Sequence, residues 1–310
     1  MKIKLSAIIQ PWRIISAKKL QSLMRIIPDR FYISCLYRSR MGKKMNWNNP
    51  KTFNEKLQFL KLYDRNPKYI KMVDKYTAKE YVKKKIGSEI IIPTIGIYDR
   101  FDQIDFNSLP EQFVIKCTHD SAGLVIVKSK TDLNRDSIKK KIDKCLKRNF
   151  FYSGREWPYK AVKHRIIVEK YMTNSKNSDE FTDYKFYCFN GYVDCVMVCY
   201  DRGSNDTKFY FFDTDWRLKR INKRGLEAPI DFSLPKPKCF ESMIDIASKL
   251  STGIPFLRVD LYESDGKVYF GEMTFYPQSG TDPNYLPDTD LYFGSLIDLN
   301  NTYAKKKGIK

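Results

Sequence analysis

Apolar and polar residues alternate most cleanly towards the C-terminal end of the chain. Leu257, Val259 and Leu261 interleave with Arg258, Asp260 and Tyr262, a period of two that predicts a strand. Ser264-Asp265-Gly266 is turn chemistry, and Val268–Thr274 predicts the returning strand, with Val268, Phe270, Glu272 and Thr274 on one face. Turn length decides the chemistry. A three-residue loop at Asp265–Lys267 sets Asp260 opposite Glu272 and Arg258 opposite Thr274; a two-residue loop slips the register by one and divides the carboxylates between faces. Adjacent carboxylates repel unless a cation lies between them, and hard oxygen ligands suit Mg²⁺. A sheet-edge hairpin with solvent-facing charges is the other reading of this stretch.

The same patterning predicts helices over Lys51–Tyr63, where Thr52 and Glu55 have capping-box spacing, over Val73–Lys85, and over Ser137–Arg148 with a basic solvated face. Strands are predicted at Ile90–Tyr98, Phe113–Cys117, Leu124–Lys128, Arg165–Tyr171 and Phe209–Asp213. Tyr184–Phe189 and Tyr192–Tyr200 flank Asn190-Gly191, a strong short hairpin signal. Lys223–Lys238 reads as irregular, Phe240–Leu250 as a helix and Leu286–Asn300 as a short tail. Strands and helices mix without βαβ alternation, so the predicted class is α+β.

Charge changes this picture at one end. Residues 1–50 hold eleven Lys and Arg against one acid, Asp29, which is half of the net charge of +20 on 310 residues. Such a segment seeks phosphate-bearing partners. Residues 3–27 interleave this charge with Ile, Leu, Met and Trp12, as an amphipathic interfacial helix does, or one that packs on the domain. Pro11 and Arg13 cut the apolar run short, so neither a signal peptide nor a spanning segment is expected. Seven Cys without a CxxC pair predict reduced, buried thiols of a cytosolic protein, and two His make a histidine metal site unexpected.

Several cations sit where apolar strands do not need them. Lys116 lies within FVIKC and Lys185 within DYKFYCF, and Lys75 opens a helix. Ser121-Ala122-Gly123 follows Lys116 and offers backbone N–H groups to a phosphate. Together with Arg258, Asp260 and Glu272 they fit a bound polyphosphate with Mg²⁺.

In this order the residues resemble the ATP-grasp superfamily, and more closely its TupA-like (teichuronopeptide-biosynthesis) branch. The resemblance is carried by NPKTFNEKLQFLKLYDRNP (49–67), DKYTAKEYV (74–82), LPEQFVIKCTHDSAG (109–123), GREWPYK (154–160), DYKFYCFNG (183–191) and RVDLY…YFGEMTFYPQSG (258–280). It implies two α+β subdomains sandwiching ATP, drawn at 51–172 and 173–300, between a basic helical N-terminal region (1–50) and a basic tail (301–310). It also implies an ATP-dependent carboxylate–amine ligase acting through an acyl phosphate. Lys75 and Lys116 would meet the α- and β-phosphates, and Lys185 a nucleotide phosphate or the ribose. Arg258 would stabilise the transferring phosphoryl group. Asp260 and Glu272, with Thr274 as a third ligand, would hold Mg²⁺. Glu169, Lys170 and Met172 would border adenine and ribose. His119, Ser121 and Gly123 belong to the flap over the nucleotide, where His119 and Ser121 either position the acceptor or anchor the loop. The implied setting is cell-surface polysaccharide assembly in the cytoplasm, at the inner membrane face, joining an amino acid or peptide to a glycan or its precursor.

Three departures stand out: Thr274 where the superfamily has Asn, Asp120 and Ala122 in a flap that is usually glycine-rich, and Gln278 where the branch has Gly. A glycosyltransferase is the alternative, on the strength of Asp213-Thr214-Asp215. A basic nucleic-acid- or membrane-binding module leaves the strand-borne charges without purpose, so no nucleic-acid partner is expected. The N-terminal charge yields a direct prediction. At on the order of 1 kcal/mol per basic side chain near an anionic leaflet, full-length protein should pellet with anionic vesicles, release in salt, and lose binding when residues 1–27 are deleted. Vesicle co-sedimentation checks it; a deletion that unfolds the protein, without lipid binding by the intact chain, favours the packing role.

Overall fold

The computed structural model of the chain describes residues 26–120, 123–172, 182–200, 207–300 and 302. The expectations for residues 3–25, the polar loop at 174–179 and the tail at 303–310 lie outside the described residues. The chain opens with α1 (Asp29–Met41), α2 (Phe53–Tyr63), α3 (Lys68–Val73) and α4 (Thr77–Lys85). Strands β1 (Thr94–Tyr98), β2 (Phe113–Cys117), β3 (Leu124–Val127) and β4 (Ile166–Lys170) form an antiparallel sheet ordered β1-β4-β2-β3. Between β3 and β4 the chain passes through α5 (Arg135–Leu146) and the single turn α6 (Phe151–Gly154). A second antiparallel sheet follows. It is built from β5 (Asp183–Phe189), β6 (Tyr192–Tyr200), β7 (Lys208–Phe212), β8 (Leu218–Lys219), β9 (Leu257–Ser264) and β10 (Lys267–Thr274), ordered β10-β9-β5-β6-β7-β8. Helices α7 (Lys223–Glu227) and α8 (Phe240–Ser251) precede β9, and α9 (Pro287–Ser295) follows β10. The class is α+β, as the patterning predicts.

Each sheet has its own core. Phe113, Ile115 and Cys117 of β2 meet Ile166 and Val168 of β4 beneath Ile138 and Ile142 of α5. The larger core joins Phe186 and Val259 of the second sheet to Phe240, Met243 and Leu250 of α8. Phe53 and Leu57 of α2 and Val82 of α4 belong to this larger core as well. Packing therefore divides the chain differently from the expected boundary at 172/173: the opening helices travel with the second sheet. Part of the expected basic helical N-terminal region joins it as well, since Ile33 and Tyr37 of α1 are fully buried.

Two helix readings need correction. The helix expected over Val73–Lys85 breaks at Asp74, whose Oδ1 accepts from Tyr76 N at 2.9 Å and Thr77 N at 3.4 Å. A short acceptor of this kind competes with helix propagation, and the break leaves Lys75 on the connection. The tail expected at Leu286–Asn300 contains α9, whose Phe293 is fully buried. Its Gly294 lies against the start of α2, where a Cβ would come 2.1 Å from Lys51 O. With polar Asp288, Thr289 and Asp290 in its first turns, α9 lacks an apolar stripe that sequence patterning could detect.

The hairpin corrects the expected loop and keeps its consequence. Ser264 pairs with Lys267, so the turn has two residues, Asp265 (φ 50°) and Gly266 (φ 72°), the left-handed pair of a type I′ turn. Its register sets Phe270 opposite Leu261, and a bulge at Gly271 then shifts it so that Glu272 faces Asp260 and Thr274 faces Arg258. A Cβ at position 271 would come 2.7 Å from Tyr262 Cε2 and 3.0 Å from Asp260 O. Gly271→Ala should therefore destabilise the fold by about 1–3 kcal/mol in urea unfolding and weaken MgATP binding as the carboxylates lose their register. Unchanged stability and binding would show that the bulge does not need the missing side chain.

Candidate active site

The end of the β9–β10 hairpin concentrates charge. Arg258 Nε and Nη2 donate to Asp260 Oδ1 and Oδ2, both at 2.7 Å. Nη2 also donates to Glu272 Oε1 at 3.2 Å and to Thr274 Oγ1 at 3.1 Å. Asp260 Oδ2 and Glu272 Oε1 thus share one donor nitrogen, at 2.7 and 3.2 Å, which keeps them within about 6 Å of each other, near the reach of one small divalent cation. Strand β5 pairs with β9 and places Lys185 opposite Asp260; its ammonium donates to Asp260 Oδ2 at 2.5 Å and to Asp183. Burial works against the Glu272 carboxylate, but Lys75, Arg258 and Lys185 outweigh it and hold the carboxyl down at about 2.

The smaller sheet contributes a second charged group. Glu169 of β4, 4 % exposed, is gripped by Lys79 of α4 and by Lys116 of β2, the latter at 2.6 Å. The pairing of β2 with β4 sets Val114 opposite Glu169 and Lys116 two residues further along β2, on the same face. Lys79 also donates to Ile92 O and Thr94 Oγ1, both at 2.8 Å. Lys75 donates to Asp120 O at 2.8 Å, and Asp120 takes a bidentate contact from Arg148, its Oδ1 at 2.6 Å.

These residues meet around one cavity of about 250 Å³, lined by Lys75, Lys116, Asp120, Gly123, Leu124 and Glu169 from one side and by Asp183, Lys185, Asp260, Tyr262, Gly271 and Glu272 from the other. The lining carries more carboxylates than cations, and Arg148, Lys79 and Arg258 behind it bring the total close to balance. A triphosphate bound there needs additional positive charge. Asp260 and Glu272 fit Mg²⁺ on that ground. No cluster of three or more His, Cys, Asp or Glu with metal-binding geometry occurs among the described residues, so two carboxylates would leave the other positions to phosphate and water, the arrangement Mg²⁺ favours.

Of the expected site residues, Lys75, Lys116, Gly123, Glu169, Lys185, Asp260 and Glu272 line this cavity, and Arg258 bonds two of them. Four do not. Thr274 accepts from Arg258 and donates to Glu272 at 3.2 Å, which makes it a bracket for those two side chains. His119 is buried with Nε2 3.1 Å from Cys145 O and its ring stacked on His164 at 3.8 Å; burial and His164 lower its pKa to about 4, so it anchors the base of the flap as a neutral ring. Lys170 is exposed and Met172 half-buried, away from the lining. Ser121 lies outside the described residues. The structure adds Asp183, which periodicity places on an ordinary strand position, and pairs Lys79 with Glu169, a contact that only tertiary structure reveals.

The glycosyltransferase motif dissolves. Asp213 Oδ1 accepts from Asp215 N at 2.9 Å and Arg217 N at 2.8 Å, so the carboxylate builds the turn between β7 and β8 at the far edge of the second sheet. Trp157 of the GREWPYK stretch is half-buried against the larger core, and all seven cysteines are free thiols.

The depressed Glu272 carboxyl sets a pH dependence. A carboxyl lowered on folding adds stability above its ordinary range near ~4.3, and that contribution is lost as pH falls towards the folded value. The stability gap between the wild type and Glu272→Gln should therefore be flat from about pH 6 to 8 and close between about pH 5 and 2. Urea unfolding at each pH measures it; a gap that widens in acid would contradict the assigned charges.

A family model for TupA-like ATP-grasp proteins matches residues 55–298. No curated protein matches the sequence. Among solved structures, the D-alanine–D-alanine ligase of Bacillus anthracis in complex with ATP is 14% identical with a TM-score of 0.44, covering 76% of this chain and 68% of that one. The D-alanine–D-alanine ligase of Helicobacter pylori is 14% identical with a TM-score of 0.43 over 81% and 68%. The L-amino acid ligase of Bacillus licheniformis is 14% identical with a TM-score of 0.41 over 67% and 44%. With the family model spanning most of the chain and both sheets inside the matched stretch, the chain belongs to the TupA-like ATP-grasp family.

Proposed function

We propose that this ATP-grasp ligase joins a carboxylate to an amine during assembly of a cell-surface polysaccharide, attaching an amino acid or peptide to a glycan or its precursor. One observation carries the reading: Lys75, Lys116 and Lys185 line the same cavity as the opposed carboxylates Asp260 and Glu272. The substrate carboxylate oxygen attacks the γ-phosphorus of ATP, and ADP leaves. The amine then attacks the acyl carbon of the acyl phosphate, inorganic phosphate leaves, and the nitrogen gives up a proton.

The residues act mainly by electrostatics. Lys75 and Lys116 hold phosphate oxygens from the side of the smaller sheet. Lys185 approaches from the second sheet, where Asp183 and Asp260 orient it. Arg258 is fixed by Asp260, Glu272 and Thr274 and presents its charge to the transferring phosphoryl group. Asp260 and Glu272 would hold Mg²⁺, which neutralises charge on the β- and γ-phosphates. Glu169 holds Lys116 in place and lines the wall nearest the expected base and ribose, with Lys79 behind it. A cytoplasmic enzyme at the inner membrane face suits a lipid-linked acceptor. No helix among the described residues is long and apolar enough to cross a membrane.

Two measurements test this reading. Mass analysis of reactions containing ATP, a panel of amino acids and soluble or lipid-linked glycan should show an amide adduct with stoichiometric ADP and phosphate; turnover only with a UDP-sugar would overturn it. Lys116→Ala should raise KM for ATP by about 10- to 100-fold, the loss of a charge-assisted contact. Arg258→Ala should instead lower kcat by roughly 10²- to 10³-fold. Equal effects of the two variants on ATP binding would contradict the division of roles.

A further inference from the structure

Lys61 of α2 has no exposed surface and no part in the chemistry above. Its ammonium lies 2.8 Å from Gly154 O, 2.6 Å from Ser279 O, 3.0 Å from Ser279 Oγ and 3.1 Å from Gln58 Oε1. A lysine is rarely buried without a compensating role. The charges that act on it are Glu156, from the segment after α6, and Arg40 of α1. Desolvation pulls the ammonium down to about 7 against the attraction of Glu156, while burial pushes the Glu156 carboxyl up.

What Lys61 holds is unusual backbone. Gln278 (φ 46°), Ser279 (φ 56°) and Gly280 (φ 61°) are three successive left-handed residues, two of which carry side chains that crowd their own carbonyls there. Such conformations persist only where the surroundings over-determine them, and they gather at functional sites. Here the surroundings do so. Ser279 O accepts from Lys61 and from Gln58 Nε2, at 2.6 and 3.1 Å. Gly280 O accepts from Gln58. Gln278 O accepts from Thr281 Oγ1 at 3.0 Å and from Arg40 Nη1 at 3.5 Å. Two glycines allow the approach: a Cβ at Gly280 would lie 2.9 Å from Leu57 Cβ, and one at Gly154 2.0 Å from Ser279 Oγ.

The position of this loop gives it a purpose. It begins at Pro277, shortly after Thr274, whose hydroxyl fixes Arg258 and Glu272. None of its residues lines the nucleotide cavity. The loop is tied to the reacting end of the hairpin yet lies outside the space for ATP. We propose that Lys61 is a positioning residue for the ligation: acting from behind, it locks Pro277–Gly280 in the left-handed form and so sets the end of β10 for the substrate other than ATP. The inference rests on the ligase reading.

The test uses full-length Lys61→Met and, should that variant fail to fold, Ser279→Ala, which removes one contact of the ammonium. Hydrogen exchange in 276–281 should quicken at least tenfold, while calorimetric affinity for MgATP stays within twofold. In the ligase assay, KM for the amino acid should rise at least tenfold with KM for ATP unchanged; a mere loss of folded enzyme lowers kcat and moves neither KM. Unchanged exchange in the loop, or ATP affinity falling in step, overturns the proposal. If the wild type ligates no amino acid, the ligase reading fails, and the exchange and MgATP arms still decide whether Lys61 locks the loop independently of the nucleotide.

Discussion

Two carboxylates held face to face at the end of a hairpin are stable only with positive charge against them. Much of this fold delivers that charge. Arg258 comes from the same strand as Asp260, two residues away, and grips it with both ends of its guanidinium. Lys185 arrives across the sheet because β5 pairs with β9. Lys75 comes from the break between α3 and α4, on the other side of the cavity. Glu272 remains ionised because these three charges outweigh its burial.

The smaller sheet repeats the arrangement with opposite emphasis. There a single buried carboxylate, Glu169, gathers two lysines. It prevents Lys79 and Lys116 from repelling one another and fixes Lys116 at the cavity wall. The smaller sheet thus brings an excess of positive charge to the shared space and the second sheet an excess of negative charge.

Behind the hairpin, structure and chemistry are coupled through a different route. Gln58 and Lys61 of α2, one turn apart, hold the loop that follows β10, while α9 packs Gly294 against the start of the same helix. The capping box at Thr52 and Glu55 fixes where α2 begins. One short helix therefore aligns the opening segment, the larger sheet and the segment beyond β10.

The sequence by itself determined the α+β class, most strand positions and the type of charge chemistry, because a period of two and a lysine within an apolar strand are local signals. FVIKC is a strand over Phe113–Cys117, and Tyr192–Tyr200 is a strand over its full expected length. The residues carrying the resemblance to the ATP-grasp superfamily were readable for the same reason. Only the tertiary structure decided which of those charges meet. The two-residue turn would have separated Asp260 from Glu272 had Gly271 not supplied a bulge, and a bulge depends on the space beside Tyr262. Which of its two readings His119 follows, and what Thr274 touches, were decided by their neighbours, a stacked imidazole in one case and a guanidinium in the other. Gln278 occupies a left-handed position that favours glycine, in a loop whose next two carbonyls accept from Gln58 of α2, more than two hundred residues earlier in the chain. Periodicity reports which face a residue occupies; which partner waits on that face is a long-range fact that only folding supplies.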